Sequence, residues 1–324
     1  MKYKKLDNGK KISKVGFGGW GLSGDSYGKI NTKRSIKLLN FAYQNGINFI
    51  DTSINYNSGE SERRIGKFLN QNNIDRNKII ISTKGGLYTT KKNEIEKNNF
   101  SNKFIKSQIK QSLKNLNTNF IDIYFLHSVS KKNLKNKKIF NFLKEYKKEK
   151  IINYIGVSPD HPSDALYFAK TYKIDFIQIN LNLFDQRIID IKLLEVCKKK
   201  NIQIIVRTPL SFGFLGVIKN IKNIKKNKLD HRSYWDKSQL LHWQKSLSLF
   251  EHLKGKHSFP VFSLKFCLYF KNVISVIPGM LKDHEILENI KCTENSQLSK
   301  KIIKKIYDIY KNNKFIIKKR ERLY

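Results

Sequence analysis

The sequence predicts an α/β fold, a (β/α)8 barrel of the TIM type with an N-terminal β-hairpin and an extra C-terminal helix. Three observations predict it. Eight short runs rich in Ile, Val and Phe recur at residues 15–17, 47–50, 78–82, 120–126, 151–157, 174–179, 202–206 and 273–277. Runs this short and this apolar read as parallel strands buried on both faces. Between them lie segments whose apolar residues fall three and four apart, the period of a helix with one buried face. Eight such strand–helix repeats close most naturally into a parallel barrel. The third observation is size. The chain has 324 residues, a length that such barrels reach as one unit. With no low-complexity linker and no internal repeat, residues 1–324 are expected to form a single barrel domain.

The elements follow in order. Residues 2–14 read as a hairpin around Asp7-Asn8-Gly9, a turn that needs positive φ, placed to cap the barrel bottom. The first helix, 32–44, sets Ile36, Leu39 and Tyr43 on one side and stops at Asn45-Gly46. Further helices are expected at 61–69, 102–116, 138–148, 163–171, 186–199, 259–270 and 283–290, and an extra Lys-rich amphipathic helix at 296–312. The Lys/Asn-rich pieces 91–100 and 131–137 read as exposed loops. The long stretch 211–257, with Trp235 and Trp243, separates the seventh strand from its helix. In a barrel, long loops after strands lie at the active-site face.

Composition narrows the function classes. The net charge of +38 invites a nucleic-acid reading, but 55 of the 64 basic residues are Lys and only nine are Arg. Base-reading sites lean on Arg. The Lys are spread over the whole chain among many Asn and Ile, as biased composition at solvated positions would leave them. No specific nucleic-acid partner is expected, only weak binding to polyanions. No run approaches the roughly 18 apolar residues of a membrane span, and the first residues lack the apolar core of a signal peptide. Cys197, Cys267 and Cys292 are sparse and far apart, which argues against a disulfide framework or a Cys metal site. No metal is expected, and a reducing cytoplasm fits. Oligomeric state leaves no signature.

The candidate chemistry sits at consecutive strand ends. Asp51, Lys84 and His127 close the second, third and fourth strands, and Tyr56 follows the second. All four then face one mouth, where barrel enzymes place catalysis. A carbonyl that accepts a hydride needs a proton on its oxygen, which a tyrosine can give. A nearby ammonium lowers the phenol's pKa, normally about 10. Lys84 is expected to do so, Asp51 to neutralise that ammonium, and His127 to donate a hydrogen bond to the carbonyl oxygen. Each residue alone has a structural reading: a loop cap, one tyrosine of 15, one lysine of 55, a satisfied core histidine.

Taken together, the motifs resemble the aldo/keto reductase family. Phe49-Ile-Asp-Thr-Ser-Ile-Asn-Tyr-Asn-Ser-Gly-Glu-Ser-Glu62 is similar to the family segment carrying its catalytic Asp and Tyr. Ile80-Ile-Ser-Thr-Lys84 and Ile121-Asp-Ile-Tyr-Phe-Leu-His127 resemble the strands carrying its Lys and His. The resemblance implies Tyr56 as general acid, Lys84 and Asp51 as its tuning pair and His127 as substrate orienter. It further implies a small carbonyl substrate, an aldehyde or ketone with sugar-derived ones included, and a cofactor that is NADP (NADPH), NAD being the alternative. Gly18 and Gly19 would lie under the nicotinamide, with Trp20 beside the substrate. Ser158 and Gln178 would bind the carboxamide. Arg207, Pro209, Leu210 and Gly213 would cover the nicotinamide and pyrophosphate. Pro278, Gly279, Lys282, Glu288 and Asn289 would hold the adenosine end.

Three positions depart from the family pattern. Pro159 replaces an Asn and has no amide to donate. Arg207 replaces an aromatic, either to face an anionic substrate group or to pair a nearby carboxylate. Leu281 replaces an Arg, so the expected NADPH preference rests on Lys282 and the following helix N-terminus. Two other readings stand beside the reductase: a non-catalytic nucleotide-sensing or partner-binding subunit on the same fold, and a polyanion-binding protein.

Overall fold

A computed structural model describes residues 1–89, 96–216, 221–294 and 297–318 of the chain. Its first two strands, β1 (Tyr3–Lys5) and β2 (Lys11–Ser13), form the expected antiparallel hairpin. Gly9 turns it at φ +84°, a conformation that glycine adopts freely. The next strands are β3 (Phe17–Gly18), β4 (Phe49–Asp51), β5 (Ile80–Gly85), β6 (Leu87–Thr89), β7 (Glu96–Asn98) and β8 (Ile121–His127). They are followed by β9 (Ile152–Ser158), β10 (Phe176–Asn180), β11 (Gln203–Arg207) and β12 (Val273–Ile277). All except the two hairpins join one parallel sheet in chain order. Parallel bridges from Val15 to Val276 and from Gly18 to Gly279 bring the first strand to the last and close the barrel.

Helices surround it: α1 (Thr32–Gln44), α2 (Glu60–Gln71), α3 (Asn102–Leu116), α4 (Ile139–Lys148), α5 (Pro162–Thr171) and α6 (Arg187–Asp190). The chain continues through α7 (Leu193–Lys199), α8 (Ile221–Lys226), α9 (Lys237–Ser246), α10 (Phe259–Leu268), α11 (Asp283–Ile290) and α12 (Lys300–Asn312). Among the described residues, no helix is long and apolar enough to cross a membrane. The three cysteines are free and buried.

Inside the barrel, Phe49, Ile80, Ile123, Phe125, Tyr154, Phe176 and Ile205 form one apolar cluster, and Leu6 and Ile12 of the hairpin join it. The hairpin therefore plugs the bottom, as expected. Strand side chains alternate between faces. An even number of residues further along each strand, the same interior face carries Asp51, Lys84, His127, Ser158, Gln178 and Arg207. The apolar layers fill the lower barrel and leave its upper mouth polar.

Three expectations change. The helix expected over 186–199 breaks at Lys192, which has φ +57°. Ile188 and Leu193 are both fully buried, yet five residues apart they cannot share one helical face; the break lets both point inward. Residues 96–98, expected within a loop, pair as β7 with β6; residues 90–95 of that piece lie outside the described residues. The stretch 211–257 is not open loop but contains α8, α9 and short 3-10 turns.

Candidate active site

Lys84 is the centre of the polar mouth. It sits inside a six-residue strand that is buried throughout, so its ammonium must be satisfied by protein. Its Nζ donates to Asp51 Oδ2 at 2.7 Å, to the Thr52 carbonyl at 2.7 Å and to Tyr56 Oη at 3.3 Å. The other Asp51 oxygen accepts from Ser82 Oγ at 2.6 Å and Gln178 Nε2 at 2.7 Å. His127 Nδ1 lies 3.1 Å from Ser53 Oγ, and its ring meets that of Tyr56 edge-on at 6.1 Å. The structure thus gathers all four expected residues within one cluster.

Burial sets the protonation states. It pushes the Tyr56 phenol well up, Asp51 adds to the effect, and Arg207 opposes it. The expected lowering of that phenol is therefore not the net effect, because burial outweighs the cations around it. Lys84, 3.3 Å from the phenol oxygen, favours the phenolate but does not offset the burial. Tyr56 consequently keeps its proton through the neutral range. Burial pulls Lys84 down against the upward influence of Asp51. Burial, then the Lys84 and Arg207 charges, hold His127 well below its ordinary 6.5, so the imidazole is neutral and one ring nitrogen donates.

A cavity of about 1430 Å³ opens above these groups. It exceeds the roughly 300–1,000 Å³ of a pocket for one drug-sized ligand. Gly18, Gly19, Trp20, Gln178, Arg207, Pro209, Leu210, Gly213, Pro278, Gly279, Lys282, Glu288 and Asn289 all line it; Ser158 lies just behind, its Oγ 3.3 Å from Gln178 Oε1. Two features fit a dinucleotide. A Cβ added at Gly279 would meet nothing within 4 Å, so the backbone is open to an approaching ligand. Asn289 Nδ2 is buried without a hydrogen-bond partner, a donor suited to a heterocyclic nitrogen. Among the described residues, no group of His, Cys, Asp or Glu is arranged to hold a metal ion.

Of the two expectations for Arg207, the carboxylate pairing is the one with a partner in the structure. Arg207 lines the cavity, yet its guanidinium donates to the Pro159 carbonyl at 2.9 Å and to Asp160 at 3.3 Å. Around Lys282, where a phosphate site is expected, the backbone donors are already engaged. The backbone amides of Leu281 and Lys282 both donate to Glu285 Oε2, at 2.8 and 3.1 Å. Asp283 is held by the Arg34 fork at 3.1 and 3.3 Å. Sequence reasoning passed over Glu285, although a Glu three residues into a helix is the recognised capping position.

Trp20, Trp235 and Phe212 could be expected to line a pocket, but the part that Tyr27 and His231 play in its roof could not. His231 stacks on Trp20 at 4.4 Å and meets Tyr27 edge-on at 4.8 Å. The His231 amide donates to the Ser26 carbonyl, and Asp230 bridges Tyr27. Trp235 and Phe212 reach the cavity, whereas Trp243 is core. Only the fold brings residues 26–27 and 230–235 together, so no local pattern announces the pair.

A neutral imidazole and a protonated phenol beside a buried ion pair, at the mouth of a parallel barrel, are the parts of an acid–base site. Comparison with known proteins gives the class. The profile of the aldo/keto reductase family matches residues 14–311, and the chain belongs to that family of oxidoreductases. It is 28% identical to "Probable aldo-keto reductase 1" of Glycine max over 93% of this chain and 86% of that protein. It is 24% identical to the "NADH-specific methylglyoxal reductase" of Escherichia coli over 86% of this chain and 89% of that one. Among solved structures, the glycerol dehydrogenase AKR11B4 of Gluconobacter oxydans superposes with a TM-score of 0.79 at 24% identity, covering 96% of this chain and 95% of that one. The holo form of aldo-keto reductase AKR11C1 from Bacillus halodurans gives 0.78 at 23% identity, covering 95% and 96%.

Proposed function

We propose that this chain reduces a small aldehyde or ketone, aldoses included, to the alcohol, with a nicotinamide dinucleotide as cofactor and Tyr56 as general acid. One observation carries the reading: Tyr56 Oη lies 3.3 Å from the ammonium of a fully buried Lys84–Asp51 pair, at the floor of a dinucleotide-sized cavity. When bound, the reduced nicotinamide supplies the hydride, which adds to the carbonyl carbon. The carbonyl oxygen gains negative charge and takes the Tyr56 proton. Lys84 stabilises the phenolate left behind, and Asp51 holds that ammonium in place. Neutral His127 donates to the same oxygen and fixes its direction. Trp20 and Trp235 offer flat apolar walls to the remainder of the substrate. The activities named for the relatives, on methylglyoxal and glycerol, are of this size class.

The test is a screen of the purified chain with NADH and NADPH against small aldehydes, ketones and aldoses, repeated with Tyr56→Phe. Turnover is expected in wild type. General acid catalysis contributes roughly 10²–10⁴-fold, so the variant should lose at least about a hundredfold in kcat while binding cofactor normally. A variant retaining more than about a tenth of wild-type kcat, with chemistry rate-limiting, removes Tyr56 from the role.

A further inference from the structure

We propose that Glu285 makes this chain select NADH over NADPH, an inference that rests on the reductase reading above and reverses the preference expected from Lys282. The adenosine end of the cavity is walled by the start of α11. There an incoming phosphate would be held by free backbone amides and the positive end of the helix dipole. In this chain the amides are taken. Glu285 Oε2 accepts from the Leu281 amide at 2.8 Å and from the Lys282 amide at 3.1 Å. The protein's own carboxylate occupies the place and the donors that a 2′-phosphate needs.

Charge points the same way. Glu285 and Glu288 both line this end of the cavity, and Lys282 is the cation there among the described lining residues. The nearby Arg34 is forked to Asp283 and balances that carboxylate rather than a ligand. The side chain at 281 is leucine, with no donor. A 2′-phosphate brings about 1.5–2 negative charges near neutral pH and would meet Glu285 at close range. NADH instead presents a 2′-hydroxyl, which donates to a carboxylate. This is the logic by which an acidic residue marks NAD sites and an Arg marks NADP sites in dinucleotide folds generally. Asn289 supports the same placement from the other side. Its buried Nδ2 has no partner within the protein, and it stands one turn beyond Glu285, where an adenine nitrogen can accept from it.

The experiment is an equilibrium titration of NADH and NADPH against the full chain, read by quenching of the tryptophan fluorescence, since Trp20 and Trp235 line the cavity. It requires no knowledge of the carbonyl substrate. Wild type is expected to bind NADH at least about tenfold more tightly than NADPH, the scale of one charge-assisted hydrogen bond made or opposed. Glu285→Gln keeps an oxygen to accept from the two amides but removes the charge. It should move the affinity ratio toward NADPH by about tenfold or more. A wild-type ratio near one, or in favour of NADPH, overturns the proposal while leaving the reductase reading intact. An unchanged ratio in a folded Glu285→Gln variant overturns the role of Glu285. Failure of both nucleotides to bind removes the reductase reading and this inference with it.

Discussion

Lys84 has demanding surroundings, because its ammonium and its counter-charge are both withdrawn from water, 1% and 3% exposed. Breaking such a pair by removing one partner typically costs about 3–5 kcal/mol. Asp51→Asn should therefore destabilise the fold as well as slow the reaction, and the loss should depend on pH. Burial already lowers Lys84, with Asp51 opposing. Without Asp51 the folded-state pKa falls further below the unfolded value. A base depressed in this way costs stability below its folded pKa, where the ammonium must be kept buried and charged. That cost fades as the pH rises through the folded pKa and the proton leaves. Denaturation of wild type and variant at about pH 7 and about pH 9.5 should show the larger gap at the lower pH. An equal gap would mean that Asp51 acts by packing alone. Lys84→Met strands the Asp51 carboxylate in its turn, with only Ser82 and Gln178 left to satisfy it, so it too should lose stability; the folded variant should lose turnover at every pH, and an active Lys84→Met enzyme would end the tetrad model. The identities of these residues were legible in the sequence because each ends or closely follows a buried strand. Their protonation states were not, since the desolvation that raises Tyr56 comes from the assembled barrel.

At the scale of elements, periodicity carried the barrel. Eight apolar runs and, apart from the break at Lys192, the helices between them stand where expected, because a strand buried on both faces and a helix with one buried stripe leave unmistakable patterns. The clasp over the cavity left none. Asp230 pairs Arg232 through a fork at 2.6 and 2.8 Å, Arg232 also holds the Phe212 carbonyl at 2.7 Å, and its guanidinium lies over Tyr27. The guanidinium over Tyr27 and the His231 amide on the Ser26 carbonyl tie the segment after β11 to the loop after β3, beside the cavity that both line. Asp230 is almost fully buried, so its removal strands the Arg232 charge. Asp230→Ala is expected to loosen this roof and raise the dissociation rate of the dinucleotide by about tenfold, the equivalent of one charged hydrogen bond. The barrel beneath should be unaffected, with thermal unfolding shifted little. Stopped-flow displacement of bound cofactor measures the rate, and an unchanged rate would mean that the clasp does not hold the cofactor. Thr208, Ser211 and Phe212 all have φ between +44° and +57° in the same segment. Backbone held this way needs surrounding bonds to maintain it, and the clasp supplies one at the Phe212 carbonyl.

For the whole molecule the question is what the charge of +38 does. The described residues show that it is distributed unevenly. Seven of the 26 acidic residues line the cavity, against three of the 64 basic ones. The excess of lysine therefore lies away from the cavity, whose wall is acidic. This separates two consequences that composition alone runs together. The outer field should draw polyanions without sequence preference, whereas the cavity should not favour anionic substrates. Arg207, the cation closest to the chemistry after Lys84, is already engaged by Asp160 and by the Pro159 carbonyl. Duplex DNA of mixed sequence is accordingly expected to bind with a dissociation constant of about 10⁻⁴–10⁻⁶ M at physiological salt, the range of purely electrostatic association. Affinity should fall steeply between about 50 and 200 mM salt, because surface lysines act by releasing counterions. Saturating DNA should leave kcat for a small neutral aldehyde unchanged, since the polyanion cannot enter a cavity built for a dinucleotide. Fluorescence anisotropy across a salt series, with kcat measured in parallel, tests all three statements. A shallow salt dependence, a sequence preference above about tenfold, or inhibition that competes with the cofactor would show instead that the basic surface forms a defined site continuous with the mouth of the barrel.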